Sequence, residues 1–306
     1  MKKNLISRIL GYFLIAVIYV FTLYCATVFY KKINVYVPHW SLKLLFTDIF
    51  ATIVIFIFSC IFSNASIYDP YWSVQPIAIL LCYIHFLQIN SMGHFSGFAK
   101  LITGIICFWG IRLTLNWAYT FDSLKKQDWR YTMLKEKTKK WYPFVNFFGI
   151  HLVPTLIVYA CSLPAVYVVL NYHIQPSILS FMFLLISVGS VFLQGIADIQ
   201  MHKFRKNKKL AKETSTFIEF GLWKNARHPN YLAEIVFWWG IALAVICAVP
   251  KCFFFITGAL LNTLLFVFVS VPLADGRQAK KDGFDLYKAS TRTFLPFPKK
   301  NCKEVL

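Results

Sequence analysis

The 306 residues carry 32 Lys and Arg against 13 Asp and Glu, a formal net charge of +19, yet 58% are hydrophobic and 18% aromatic, with a mean hydropathy of +0.57. So apolar a chain excludes an ordinary soluble domain. The sequence holds no P-loop, G-x-G-x-x-G, G-x-S-x-G or H-E-x-x-H pattern, which excludes a soluble nucleotide-binding or hydrolase module, so any chemistry belongs to the helices themselves.

Apolar runs long enough for a bilayer core of about 30 Å fall near 10–30, 44–63, 74–90, 97–117, 143–170, 176–198, 230–249 and 252–272. The predicted fold class is all-α: a polytopic membrane helix bundle of about seven to eight transmembrane helices, since 74–90 is short and contains Tyr83 and His85. Residues 1–63 read as N-terminal transmembrane helices, and 64–306 as a single compact membrane domain ending in a cytoplasmic basic tail. The first seven residues are too short and polar for a cleaved signal, so the first span is expected to be retained. With eight spans, 26 of the 32 Lys and Arg fall on the side shared by both ends and five on the other. That bias obeys the positive-inside rule and puts both termini in the cytoplasm. It accounts for the basic charge as orientation plus a site for an anionic ligand, not as a nucleic-acid surface. The eight cysteines show no zinc spacing; seven lie in or beside apolar spans, Cys302 is in the tail, and no metal is expected.

In the first two spans Asp48 is the polar exception and reads as an interfacial acid. The segment 64–76, NASIYDPYWSVQP, follows; Asp69 before Pro70 favours a turn, setting Tyr71, Trp72 and Ser73 at a break that is either a short hairpin or one wall of a pocket. Arg112, Asn116 and Tyr119 then share one helix stripe, as a polar cavity wall would require. The 118–142 loop ends in a basic run that reads as a solvated helix. His151, Pro154 and Pro164 predict a kink, with His151 an interhelical hydrogen-bonder. Gln194, Asp198, His202 and Arg205, spaced by four, four and three, form a stripe running out to the cytoplasm. That stripe is either an ion-paired helix end or a wall that takes ribose hydroxyls on Asp198 and Gln194 and a phosphate on Arg205.

The stretch 221–240, GLWKNARHPNYLAEIVFWWG, concentrates the chemistry. Trp223, Arg227 and His228 precede Pro229 at the first turn of a helix on which Asn230, Glu234 and Trp238 share one face. A headgroup-touching patch would explain the cations but not a buried Asn and Glu, which are costly in a membrane unless used. The tail, 270–300, offers Asp275, Arg277, Gln278, Tyr287, Thr291 and Arg292 before a stop at Pro296 and Pro298; it lies on the membrane surface or folds back as a lid.

The order Asp69-Pro-Tyr-Trp-Ser, Trp109-Gly-Ile-Arg112-Leu, Asp128-Trp-Arg130-Tyr, Ala197-Asp198 with Arg205, Arg227-His-Pro-Asn-Tyr231 with Glu234 and Trp238-Trp-Gly, then the 272–296 tail, resembles one particular family. It is the integral-membrane family of unknown function grouped with the steroid 5-alpha-reductase C-terminal domain, and the likeness runs from about residue 60 to the end. The resemblance implies a steroid 5-alpha-reductase-like bundle that binds NADPH in its cytoplasmic half and reduces a polarised carbon–carbon double bond of a lipophilic substrate. It implies cofactor contacts from Gln194, Asp198, Arg205, Trp223, Arg227, His228, Asn230, Tyr231 and Glu234. Asn230, Tyr231 and Glu234 match the reductases' Asn-Tyr…Glu motif, and Gln194 stands where those enzymes tend to have Asn. It implies a Tyr–carboxylate pair that steadies the developing enolate, with Asp69, Tyr71, Tyr231 and Glu234 as the catalytic candidates. The early Glu and Tyr of the steroid enzymes have no aligned counterpart, so Asp69 and Tyr71 stand in for them.

Two other classes stay open. Arg-His-Pro-x-Tyr with a downstream acid also resembles membrane methyltransferases of the isoprenylcysteine type, which bind S-adenosylmethionine. A transporter or structural membrane protein is the non-enzymatic alternative, opposed by the absence of an internal repeat. The expected partners are membrane lipids and a lipophilic small molecule, whether sterol, acyl, quinone or polyprenyl. The endoplasmic reticulum and the bacterial inner membrane are equally open.

Overall fold

A computed structural model describes residues 2–89, 96–171, 173–212, 214–295 and 297. The expected stop at Pro296 and Pro298, and Cys302, lie outside the described residues. Among those described, helices dominate and no strand forms; the one isolated bridge is Ala226 with Arg292. Seven described helices are long and apolar enough to cross a membrane, the number a multi-pass integral membrane bundle of this size requires: Leu5–Ile33, Trp40–Ile61, Gly97–Thr120, Trp129–Leu170, Ile178–Lys209, Pro229–Ala248 and Pro250–Gln278. The short 74–90 run is covered by the helix Tyr71–Ile89, which is not among the seven. The chain divides into two compact units, Met1–His173 and Ile174–Leu306, whereas composition had suggested a boundary at 63/64.

The first unit contains α1 (Lys2–Ile33), α2 (Trp40–Ile61), α3 (Tyr71–Ile89), α4 (Gly97–Thr120), α5 (Trp129–Thr138) and α6 (Val153–Leu170). Serine and aspartate start two of these helices: the Ser96 side chain accepts from Ala99 N and Asp128 from Arg130 N. Ile18 and Ala26 of α1 pack with Ala51 and Ile55 of α2 and with Ile67, Tyr68 and Tyr71. Phe13, Val20 and Tyr24 of α1 point outward, as residues facing lipid do. The kink expected around Pro154 is a π-helical segment, Val145–Leu152, leading into α6; α6 itself runs through Pro164 unbroken.

The second unit contains α7 (Ile178–Lys209), a 3-10 turn (Gly221–Lys224), α8 (Pro229–Ala248), α9 (Ile256–Leu265), a π segment (Phe266–Ser270), α10 (Val271–Gln278) and the short α11 (Phe284–Ser290). A reciprocal Ser177–Ser180 capping box opens α7. The closest packing is α7 against α8. Apolar side chains gain little by leaving lipid for protein, so membrane helices associate where small residues let backbones approach. Gly240 is such a place: a Cβ there would lie 2.8 Å from the Phe183 carbonyl and collide with the Ser187 hydroxyl, which donates to Phe237 O across the interface at 3.1 Å.

Gly240→Val should therefore separate α7 from α8 and cost about 1–3 kcal/mol. A lowered thermal midpoint of the detergent-purified protein, with Gly189→Val as the control in open space, checks it.

Candidate functional site

In the second unit the site grows from the entry to α8. Gly221 takes φ +61°, and a Cβ there would strike the Gln200 amide, which instead accepts from Leu222 N at 2.9 Å. That turn buries Trp223, whose indole donates to Ala197 O at 3.1 Å, while Tyr287 Oη donates to Trp223 O at 2.5 Å. The next residues pair with the tail: Arg227 N donates to Arg292 O at 2.9 Å, His228 N to Thr293 O at 3.0 Å and Arg292 N to Asn225 O at 3.0 Å.

The Arg227 guanidinium is spread over the same segment. Its Nε donates to Asp275 Oδ2 at 3.3 Å, Nη1 to Thr291 O at 2.9 Å and Nη2 to Thr293 Oγ1 at 3.0 Å. The other Asp275 oxygen lies 2.9 Å from His228 Nε2. Both side chains that the resemblance assigns to phosphate are thus committed, in this structure, to one buried carboxylate. Asp275 was the missing partner. His228 also stacks on Tyr231, rings 5.0 Å apart and 4° from parallel, and Tyr231 packs on Phe266 at 4.8 Å.

Pro229 begins α8, and its 3.6-residue pitch puts Asn230, Glu234 and Trp238 on one face. Glu234 is 1% exposed. One oxygen accepts from Trp238 Nε1 at 2.9 Å and the other from Gln194 Nε2 at 2.8 Å, so a side chain of α7 and one of α8 that are 40 residues apart meet inside the bundle. The same α7 stripe carries Asp198, half-buried, and Arg205, exposed. Asn230 Oδ1 is buried without a hydrogen-bond partner. On the membrane-proximal loops, burial, then the positive charges of Lys208, Arg277 and Arg205, hold the Lys281 ammonium below the usual lysine range.

In the first unit Asp69 and Tyr71 have different partners. Asp69 closes the 3-10 turn Ala65–Tyr68; its Oδ1 accepts from Tyr131 Oη at 2.6 Å, with Arg130 3.9 Å away. Burial pushes its carboxyl up to about 6, against the pull of Arg130. Tyr71, 7% exposed, donates instead to Asp48 Oδ1 at 3.0 Å, and Gln75 donates to the other oxygen. Asp48 is therefore no interfacial acid; it is 4% exposed and holds the phenol. Beside it, Thr52 Oγ1 lies 3.0 Å from Thr155 Oγ1, which lies 2.9 Å from Tyr68 Oη. His151, fully buried, bonds Asn146 O through Nδ1 at 2.8 Å and packs on Tyr68 at 4.8 Å. The stripe of Arg112, Asn116 and Tyr119 leaves Tyr119 64% exposed, which removes it from any cavity wall.

A helical membrane bundle with buried carboxylates in both units is the class defined here, and comparison narrows it. A family model described as "Protein of unknown function (DUF1295)" matches residues 55–291, and the chain belongs to this family. It is similar to "Uncharacterized protein C594.04c" of Schizosaccharomyces pombe (strain 972), at 24% identity over 201 residues, 57% of this chain and 56% of that one. The chain thus matches a little over half the length of that curated relative. No solved structure matches the chain significantly. Among the described residues no cluster of His, Cys, Asp and Glu suits a metal ion.

The Asp69 carboxyl gives a pH signature. Its folded value lies above the ordinary 3.8, so between about 4 and about 6 the unfolded chain releases this proton while the folded chain keeps it. Stability should fall as pH rises through that window and then level. Asp69→Asn should flatten this part of the profile in melts from pH 4 to pH 7; an unaltered slope would mean the carboxyl is not held protonated.

Proposed function

We propose that the protein is an NADPH-dependent reductase of a polarised carbon–carbon double bond in a lipophilic substrate, of the steroid 5-alpha-reductase-like kind. The observation that carries this reading is the Tyr71–Asp48–Gln75 cluster: a phenol held on a carboxyl group in an apolar setting between α2 and α3. In one proton arrangement Tyr71 donates to Asp48. With the proton on Asp48, the carboxylic acid donates to the phenol oxygen, and the phenol hydrogen turns outward to a substrate carbonyl. Hydrogen bonding of that kind stabilises the enolate oxygen that forms when a conjugated alkene is reduced. Gln75 fixes the carboxyl plane, so Tyr71 meets the substrate in a set orientation.

The residues of the second unit fit the cofactor in kind. Asn230 keeps a buried, unpartnered carbonyl at the start of α8, as a carboxamide or ribose hydroxyl needs. Asp198 and Gln194 on α7 suit ribose, and the exposed Arg205 suits a phosphate. Glu234, satisfied by Gln194 and Trp238, reads as the post that orients this wall, and Arg227 and His228 shape it by holding the tail against the entry to α8. NADPH, when bound, would supply the hydride. The charge bias supports cytoplasmic termini and a cofactor taken from that side.

Thermal melts in detergent should rise with NADPH and not with S-adenosylmethionine; the reverse would turn the reading to a methyltransferase. Arg205→Ala and Asn230→Ala should each weaken NADPH binding about tenfold while expression is unchanged. Tyr71→Phe should leave NADPH binding intact and slow NADPH oxidation with lipophilic enones by about 10²–10⁴.

A further inference from the structure

Two lysines from distant parts of the second unit meet on a single carbonyl. Lys208, in the last turn of α7, donates to Ser215 O at 3.4 Å and Thr216 O at 3.2 Å. Lys281, beyond the end of α10, donates to the same Thr216 O at 2.9 Å. Because both sit on one oxygen, the two ammonium groups lie no more than about 6 Å apart, a distance at which like charges repel. The loop between them is built to hold this geometry. Ser215 Oγ donates to Phe217 O at 2.6 Å, and Phe217 is buried against Phe284 and Tyr287.

An ammonium has three N–H donors. Lys208 spends two on the loop and Lys281 one, so three remain for something else. Arg205 and Arg277, both exposed, add their fields to the same point; every charged neighbour acting on Lys281 is a cation. Repulsion of this kind is tolerated where an anion relieves it.

The position of the cluster names the anion. It stands where two membrane-crossing helices end, at Lys209 and Gln278. Beside it, apolar side chains face outward: Leu210 is 54% exposed and Leu286 on α11 is 79% exposed. Leucines next to cations suit the boundary between acyl chains and headgroups. We propose that Arg205, Lys208, Arg277 and Lys281 form a site for the phosphate of an anionic membrane lipid, with phosphomonoester headgroups preferred. Two lysines supply point charge to a dianionic oxygen cluster, and the arginines add forked donors to its rim. The site is independent of the reductase reading, since it needs neither cofactor nor turnover.

The test uses the full chain in neutral detergent micelles doped with phosphatidic acid, phosphatidylglycerol or phosphatidylcholine, read by thermal midpoint and by lipid retained in native mass spectrometry. Phosphatidic acid should stabilise most and phosphatidylcholine not at all. Lys208→Gln and Lys281→Gln should each weaken phosphatidic acid retention about fivefold. Without lipid, each should melt at or above the wild-type temperature, because a repulsive contact is gone. Lys137→Gln, an exposed lysine of the first unit, should leave lipid retention unchanged. Equal retention by wild type and both variants overturns the proposal. So does stabilisation by 2′,5′-ADP without any by phosphatidic acid, which would assign the cluster to a soluble phosphate ester instead.

Discussion

A carboxylate between apolar helices has no water to stabilise it, and each unit of this protein is arranged around one such group that has been given donors. Glu234 takes an indole N–H and an amide N–H; Asp48 takes a phenol and an amide. Removing a single donor from a buried carboxylate costs roughly 1–3 kcal/mol or more, far above what one lipid-facing contact contributes. The helix registers are consequently set by these polar atoms. In α8 the apolar residues could rotate at small cost, but Glu234 and Trp238 fix which face meets α7 and bring Gly240 against Ser187. The tight approach of backbone follows from the placement of charge.

Spans and stripes were readable from the sequence because they are periodic. Gln194, Asp198 and Arg205 lie on one helix, and Asn230, Glu234 and Trp238 on another, as spacing predicts. Partners across helices were less legible, since periodicity says which face is polar but not what it meets. Asp48 shows the difference. Thr52 four residues after it, and Gln75 four residues after Tyr71, mark two polar faces, and the pairing of those faces needed the folded chain. Asp69 and Tyr71, two residues apart, invite assignment as a pair; the helix start between them sends each to a different partner. Asp275 escaped notice because a single acid in a basic tail reads as a solvated charge.

The tail shows how a basic segment can hold structure without burying a core. Its Thr291–Thr293 backbone and hydroxyl groups answer Arg227, and its Tyr287 hydroxyl answers Trp223 O. The entry to α8 is therefore not self-sufficient: a segment 65 or so residues downstream supplies the acceptors its arginine needs. Order at this entry and order in the tail are one equilibrium, and any ligand that settles on either end stabilises both.

The π segment before α6 carries a consequence for how this family can vary. His151 reaches Asn146 O, five residues back, because Val145–Leu152 is wound with one residue more per turn than an α-helix would hold. Loss of one residue there would restore the ordinary winding and swing all that follows by about 100°, carrying Thr155 away from Thr52 and Tyr68. Relatives are thus free to exchange one greasy side chain for another along this stretch, but not to lengthen or shorten it, and the spacing from Asn146 to Thr155 should drift less than the letters in between.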